Sequence, residues 1–294
     1  MSLQDQFPKF VRQQVPLSVY SRLQLGGVAE FFAEPENEAE LIELLKCCRK
    51  TNTSVRMLGA GSNLLIPDAG VPGMVIALSK PEFCRITING TCLTAGAGAQ
   101  FGQVITHSVS QGLGGIEVFV GMPGSFGGAV RANTGTLHGG DLGQWIESVR
   151  VADFEGNVSE LAKNEITFAY RYSSLDDVVL ISATLRLQKD EPTELAKPMR
   201  KLWIIRKTQQ PSGDVAAVLA FKNPETGPSA SELIERTELK GTKIGGAVVS
   251  EDNASWITID SQCTSDDVLR LVRLVQDRVA KLTQIELESA LNIW

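Results

Sequence analysis

The chain reads as an α+β protein built in more than one part, and three observations lead there. Its 294 residues are enough to bury a large core and to divide into two or three units. Apolar residues at strand spacing and at helix spacing follow one another in mixed order, not in one strict βαβ alternation. A charged stretch from about Glu191 to Pro211 separates two regions with different patterns.

Taken in order, Asn37 with Glu40 three residues on is a helix-start signal ahead of Leu41, Ile42, Leu44 and Leu45. Val55–Leu58 and Met74–Leu78 read as strands on either side of a glycine-rich loop. Cys92–Ala95 is a short strand. Ala99–Gln111 reads as a helix with Phe101, Val104, Ile105 and Val109 on its apolar side. Val149–Phe154 and Val178–Leu187 suggest antiparallel strands, with a turn at Glu155-Gly156-Asn157. A helix is expected around Met199–Arg206, and a boundary near residue 192. Ser231–Glu235 opens a short helix, and Val248 and Trp256–Ile259 look like strand residues. Thr264 with Asp267 caps a helix carrying Val268, Leu271, Val272, Val275 and Val279. Ile285–Ile293 is expected to close the chain as a strand.

Composition narrows the function classes. Hydrophobic residues make up 43% and charged residues 21%, as in an ordinary soluble globular protein. The longest apolar runs have strand length, so no membrane span is expected, and the N-terminus shows no secretory signal. A net charge of −6 argues against nucleic acid as a partner and leaves room for a local basic pocket that takes an anionic ligand. The five cysteines lack metal spacing and read as free thiols of a cytoplasmic protein. With His107 and His138 as the only histidines, a histidine-rich metal site is excluded.

Two loops carry the chemistry. In Gly59-Ala60-Gly61-Ser62-Asn63-Leu64, the glycines allow a sharp turn and close approach of a ligand. Successive N–H groups in such a turn form an anion-binding concavity. The second loop, Gly121-Met122-Pro123-Gly124-Ser125-Phe126-Gly127-Gly128-Ala129, lies in a run of eleven glycines between Gly112 and Gly143. Ordering so permissive a backbone is costly, and is tolerable where main-chain donors must wrap a ligand. Gly59-x-Gly61 has no third glycine at the Rossmann offset and no acidic partner about 20 residues on. A non-Rossmann dinucleotide site is therefore expected.

At this point the chain resembles a family. Gly26-Gly27-Val28-Ala29, the two loops, Tyr170-Arg171-Tyr172-Ser173, Phe221-Lys222-Asn223-Pro224, Leu233-Ile234-Glu235, Leu239-Lys240-Gly241 and Ile244-Gly245-Gly246-Ala247 occur in the order seen in UDP-N-acetylenolpyruvoylglucosamine reductases. The resemblance covers roughly residues 15–294, in the compact form without an extra tyrosine-bearing loop. It implies an FAD-binding module over residues 1–192, of the PCMH/VAO-like type, with two α+β subdomains split near residue 78. An α+β substrate domain would follow over 193–294. It implies FAD held by Gly59, Ala60, Gly61, Ser62, Asn63, Leu64, Gly121, Pro123, Gly124, Ser125, Gly127, Gly128 and Ala129. In that family NADPH reduces the flavin, and hydride passes to an enolpyruvyl double bond in peptidoglycan-precursor synthesis. A serine then protonates the resulting enol, while an arginine and a glutamate polarise the substrate carboxylate.

Arg171 matches that arginine, and its guanidinium suits a carboxylate in bidentate fashion; the alternative is a structural ion pair. Tyr170, Lys222, Asn223 and Glu288 are the candidate substrate-binding residues, with Lys222 and Asn223 suited to phosphate or sugar or, alternatively, to a capped turn before Pro224. The resemblance breaks at two places. The family's Pro-Ser-Ala-Gly-Ser-x-Phe-Lys-Asn-Pro aligns its proton-donor serine with Leu219, which has no proton to give. Its Leu-Glu-x-Glu-Val aligns the catalytic glutamate with Ala290. Glu288 would share a strand face with Ala290 about 7 Å away. A His-Ala-Asn patch reads Asn253-Ala254-Ser255. Ser212, Ser250 and Ser255 are substitute donors by residue type alone, and His138 lies in the glycine-rich region.

Three readings stay open on the sequence. The first is an FAD flavoprotein of this family with altered or lost reductase activity. The second is a working NADPH-dependent reductase with substitute acids. The third is a non-enzymatic flavin or UDP-sugar binding protein.

Overall fold

The fold is that of a computed structural model, which describes residues 3–136, 139–211 and 216–294. It divides into two compact units. The first comprises residues 1–15, 30–60 and 72–204; the second comprises 16–29, 61–71 and 205–294.

The first unit is built on two sheets. Val11–Pro16, Val28–Ala33, Val71–Ala77 and Val55–Leu58 form a four-stranded sheet in that order, the last two parallel. Val158–Ala162, Ile146–Ala152, Val179–Arg186, Cys92–Gly96 and Ile86–Asn89 form a fully antiparallel sheet of five. Asn37 caps the helix Glu38–Lys50 by accepting the Glu40 N–H at 2.9 Å, as its spacing implied. That helix and Phe101–Ser110 bury Leu41, Leu44, Leu45, Phe101, Val104 and Ile105 in one core with both sheets. Arg150 on the five-stranded sheet grips Glu38 with two bonds of 2.9 and 2.8 Å. These elements give the α+β, non-Rossmann architecture expected from the sequence.

The second unit has its own core. Ala217–Leu219, Trp256–Ile259, Ala247–Val249 and Lys243–Ile244 form an antiparallel sheet in that order. Helices Ala230–Arg236 and Ser265–Thr283 contribute to the same core, burying Leu233, Ile234, Val268, Leu271, Val275 and Val279. Thr264 and Asp267 form the expected capping box.

One expectation is corrected here. Within Ile285–Ile293, only Asn292–Ile293 forms a strand, parallel to Leu64–Leu65. Upstream, side chains supplement a short stretch of backbone pairing. Gln276 Nε2 donates to Leu287 O at 2.8 Å, and Ser289 Oγ accepts the Leu291 N–H at 3.1 Å. A single antiparallel bridge, Phe221 to Ser289, is what remains of the expected pairing.

Among the described residues, no helix is long and apolar enough to cross a membrane.

Candidate functional site

In the first unit the second glycine-rich loop folds onto the end of the strand Cys92–Gly96. Gly121 and Gly124 take φ values of 79° and 132°, which a side chain would resist. Ser125 caps the short helix Phe126–Arg131 by accepting the Gly128 N–H at 3.3 Å. Phe126 and Gly127 donate to the carbonyls of Ala99 and Ala97 at 2.7 and 2.8 Å. A Cβ on Gly127 would lie 2.7 Å from the Ala97 methyl, so the residue must be glycine for this approach. Pro123 is exposed and Ala129 is buried. Gly59 reaches the same place, where a Cβ would lie 2.5 Å from Ser125 Oγ. The two glycine loops thus meet at Gly59 and Ser125, while Ala60 is exposed beside them.

Tyr170 and Arg171 form the turn of the hairpin Phe168–Ala169/Tyr172–Ser173. Arg171 sits at φ 55°, a left-handed conformation that costs a non-glycine residue about 1 kcal/mol. The hairpin is braced from both sides. Asn133 Nδ2 donates to Ala169 O at 2.8 Å, and Ser173 Oγ donates to Arg131 O at 2.7 Å. Among the described residues no carboxylate lies within ion-pair reach of Arg171.

In the second unit, Gly61 is buried at φ 59°, and a Cβ there would lie 2.0 Å from Tyr20 O. Its carbonyl accepts the Arg22 N–H at 3.1 Å. Asn63 Nδ2 donates to Ala290 O. Leu64 is buried in its strand pair, and Ser62 is half-buried.

Leu219 and Ala290 lie in this same unit. Leu219 pairs with Trp256, and Val218 with Ile257. Paired side chains share a face, and neighbours alternate. Val218 and Ile257 are fully buried in the core, whereas Leu219 and Trp256 face the other way and are half-buried. Beyond Leu219 the chain runs beside Glu288–Ala290. Ala290 N donates to Ala220 O at 2.8 Å, and Lys222 N to Glu288 O at 2.9 Å. Lys222 Nζ then pairs with Glu288 Oε2 at 3.0 Å. Asn223 Oδ1 accepts the Ala230 N–H at 3.0 Å, so it serves the start of a helix. Ser250 Oγ accepts the amides of Asp252 and Asn253, and Ser255 lies buried in the turn before Trp256. Ser212 and His138 lie outside the described residues.

Two family models match the chain. Residues 29–162 match one described as an FAD binding domain, and residues 210–294 match the UDP-N-acetylenolpyruvoylglucosamine reductase C-terminal domain. A curated UDP-N-acetylenolpyruvoylglucosamine reductase from Rhodopirellula baltica is 36% identical over 297 residues, spanning 100% of this chain and 97% of that protein. The chain belongs to the UDP-N-acetylenolpyruvoylglucosamine reductase family. A reductase of that name from Lactococcus lactis subsp. cremoris is 35% identical over 280 residues, covering 95% of this chain and 92% of its own length. The crystal structure of the reductase from Thermus caldophilus superposes with a TM-score of 0.83 at 34% identity, covering 97% of this chain and all of that one.

Each of the two glycine loops, both inside the stretch that matches the FAD binding domain, carries one buried backbone donor. Gly61 and Ser125 are buried, yet neither amide N–H has an acceptor among the described residues. Buried main-chain donors are nearly always paired, so each of these amides, taken within its own unit, is open to an oxygen acceptor. Among the described residues no cluster of acidic, histidine and cysteine side chains is arranged to hold a metal ion.

One cation belongs to none of the reductase motifs in the sequence. The Arg22 guanidinium lies 5.6 Å from the centre of the Trp256 ring, and burial pushes its pKa below the ordinary arginine value. A lone arginine ahead of Gly26-Gly27 carries no local signal of this. Trp256 is 234 residues away in sequence, so only the fold brings the two together.

Proposed function

We propose that this chain is a flavoprotein that retains the family's FAD site and has lost or redirected its reductase step. The observation that carries the reading is the position of Leu219. It stands on the half-buried face of its strand, where a functional side chain would stand, and not among the core residues. In the family's reaction bound FAD supplies hydride to the enolpyruvyl double bond. A proton must follow, and a leucine side chain cannot deliver one.

Two candidate substitutes are engaged elsewhere. Glu288 is tied to Lys222, and Ser250 spends its oxygen on two turn amides. Losing a positioned general acid costs typically about 10²- to 10⁴-fold in rate. On this reading Arg171 still takes a carboxylate, with Tyr170 beside it in the turn. Lys222 remains able to reach a phosphate, and a UDP-sugar remains the ligand class. NADPH remains the expected electron donor.

The test is a single-turnover reoxidation. The holoprotein is photoreduced without oxygen and mixed with UDP-N-acetylglucosamine enolpyruvate, and the oxidised-flavin band near roughly 450 nm is followed. A bound flavin that stays reduced is the expected result. Rapid return of the band would overturn the reading in favour of a working reductase.

A further inference from the structure

We infer that Arg22, lying over the Trp256 ring, is the centre of an oxyanion subsite in the second unit, taking a phosphate or carboxylate group of a small organic ligand. The guanidinium is half-buried and lies over the Trp256 ring. Among the described residues it has no carboxylate within ion-pair distance, and its side-chain N–H groups have no acceptor. A contact with the ring's π face uses none of the guanidinium's N–H donors, so the planar fork stays available to an oxyanion.

The same chain shows what a satisfied version looks like. Arg12 lies over the Phe32 ring at 5.1 Å, and its guanidinium also meets Glu34 at 2.6 Å. Arg22 has the ring without the acid. Holding a cation out of water costs free energy unless an anion or acceptor answers it, and a bidentate oxyanion answers it best.

The residue is also held still. Its N–H donates to Gly61 O at 3.1 Å. Ser21, buried next to it, accepts the Leu23 N–H at 3.3 Å and donates to Leu64 O at 3.4 Å. Gly61 packs its α-carbon against the Tyr20 carbonyl so closely that no side chain fits there. The segment carrying Arg22 is thus pinned to the first glycine loop, which lowers the ordering cost of binding. Trp256 pairs with Leu219, so the cation lies on the sheet face that Leu219 shares and not on the core side. A ligand there would set its anionic group on Arg22 and an apolar part against Leu219 and Trp256. This subsite stands whether or not the proton-delivery step survives.

The test uses arginine side-chain NMR on the flavin-loaded protein, with the Arg22 Nε–H signal assigned by its loss in Arg22→Lys. Inorganic phosphate and pyruvate are titrated separately, against chloride at matched ionic strength. A saturable shift of the Arg22 signal is expected. A response to phosphate alone assigns a phosphate group, and one to pyruvate alone a carboxylate. No shift with either anion overturns the inference. Calorimetry with UDP-N-acetylglucosamine enolpyruvate separates this from the ligand reading above. Where the sugar nucleotide binds, Arg22→Gln should weaken it about tenfold, with Arg22→Lys between; an unchanged affinity would count against the subsite. If the sugar nucleotide fails to bind while the Arg22 signal still moves, the UDP-sugar reading falls and the subsite stands.

Discussion

Lys222 Nζ lies 3.0 Å from Glu288 Oε2, and the same two residues are joined through the backbone by Lys222 N to Glu288 O at 2.9 Å. The pair sits two residues from Ala290, the position that the sequence resemblance assigns to the family's second acid. The Glu288 side chain is 76% exposed and Lys222 only 28%, so the carboxylate comes to the lysine from the solvent side. Exposed pairs of this kind contribute about 0–1 kcal/mol. Glu288→Gln should therefore leave the urea midpoint almost unchanged. It should also leave flavin reoxidation by the enolpyruvyl compound unchanged; a large loss of rate would make Glu288 the substitute acid.

If Leu219 and Ala290 are what silences the step, restoring both should restore it. The double variant Leu219→Ser with Ala290→Glu is expected to raise the reoxidation rate by about 10²-fold or more, by returning a positioned proton donor. Either single change should recover less, because neighbouring catalytic groups act together. Stopped-flow absorbance on the photoreduced holoprotein checks this.

Gly61 and Gly90 share nearly the same backbone conformation, at φ 59° and 62°, and differ in surroundings. A Cβ on Gly90 meets nothing within 4 Å. Gly90→Ala should cost about 1 kcal/mol for the left-handed backbone alone. At Gly61 the new atom would lie 2.0 Å from a backbone carbonyl that cannot rotate away. Gly61→Ala should cost at least about 3 kcal/mol and lower the flavin content of the purified protein. Equal urea midpoints for the two variants would contradict this.

Acid should loosen the C-terminal helix first at its cap. The Asp267 carboxylate is held below its ordinary pKa, chiefly by the Thr264 N–H at 3.1 Å and then by the Thr264 hydroxyl. A group with a depressed folded-state pKa contributes stability that is present above its unfolded value, about 4, and lost as pH falls through the folded one. Glu38 behaves the same way, held down chiefly by its hydrogen bonds from Arg150. Melting temperature should therefore drop as pH falls below about 4. Asp267→Asn keeps an acceptor for the Thr264 N–H without a titration, so its profile over that window should be flatter.

Burial pushes the thiols of Cys48 and Cys263 up to about 12. At pH 8 only about one part in ten thousand of either is thiolate, the form that reacts. Mass spectrometry after iodoacetamide treatment should find both unmodified in the native protein, and all five cysteines modified after unfolding.

Local chemistry was the most legible. Asn37 with Glu40, and Thr264 with Asp267, each place a cap and its partner within three residues, so the signal and the bond coincide. The buried stripe of the last helix, from Val268 to Val279, follows from a 3.6-residue period that needs no partner to be seen. The strand expected over Ile285–Ile293 was not legible. Its backbone groups are shared among Ala220, Lys222, the Gln276 side chain and Ser289 Oγ, and none of these partners is encoded in an alternating apolar pattern.

The sequence by itself determined the family, the two glycine loops, the residue types at 171, 219, 222, 288 and 290, and the thiols without metal spacing. These rest on ordered motifs and on side-chain chemistry that stays with the residue wherever it sits. The tertiary structure alone decided which of those residues meet. It put Gly59 against Ser125, tied Glu288 to Lys222, engaged Asn223 in a helix start and turned Leu219 away from the core onto the face of Trp256 and Arg22. Such contacts join residues tens to hundreds of positions apart. Burial, register and the approach of two backbones set them, and none of the three is a property of a residue and its neighbours in the chain.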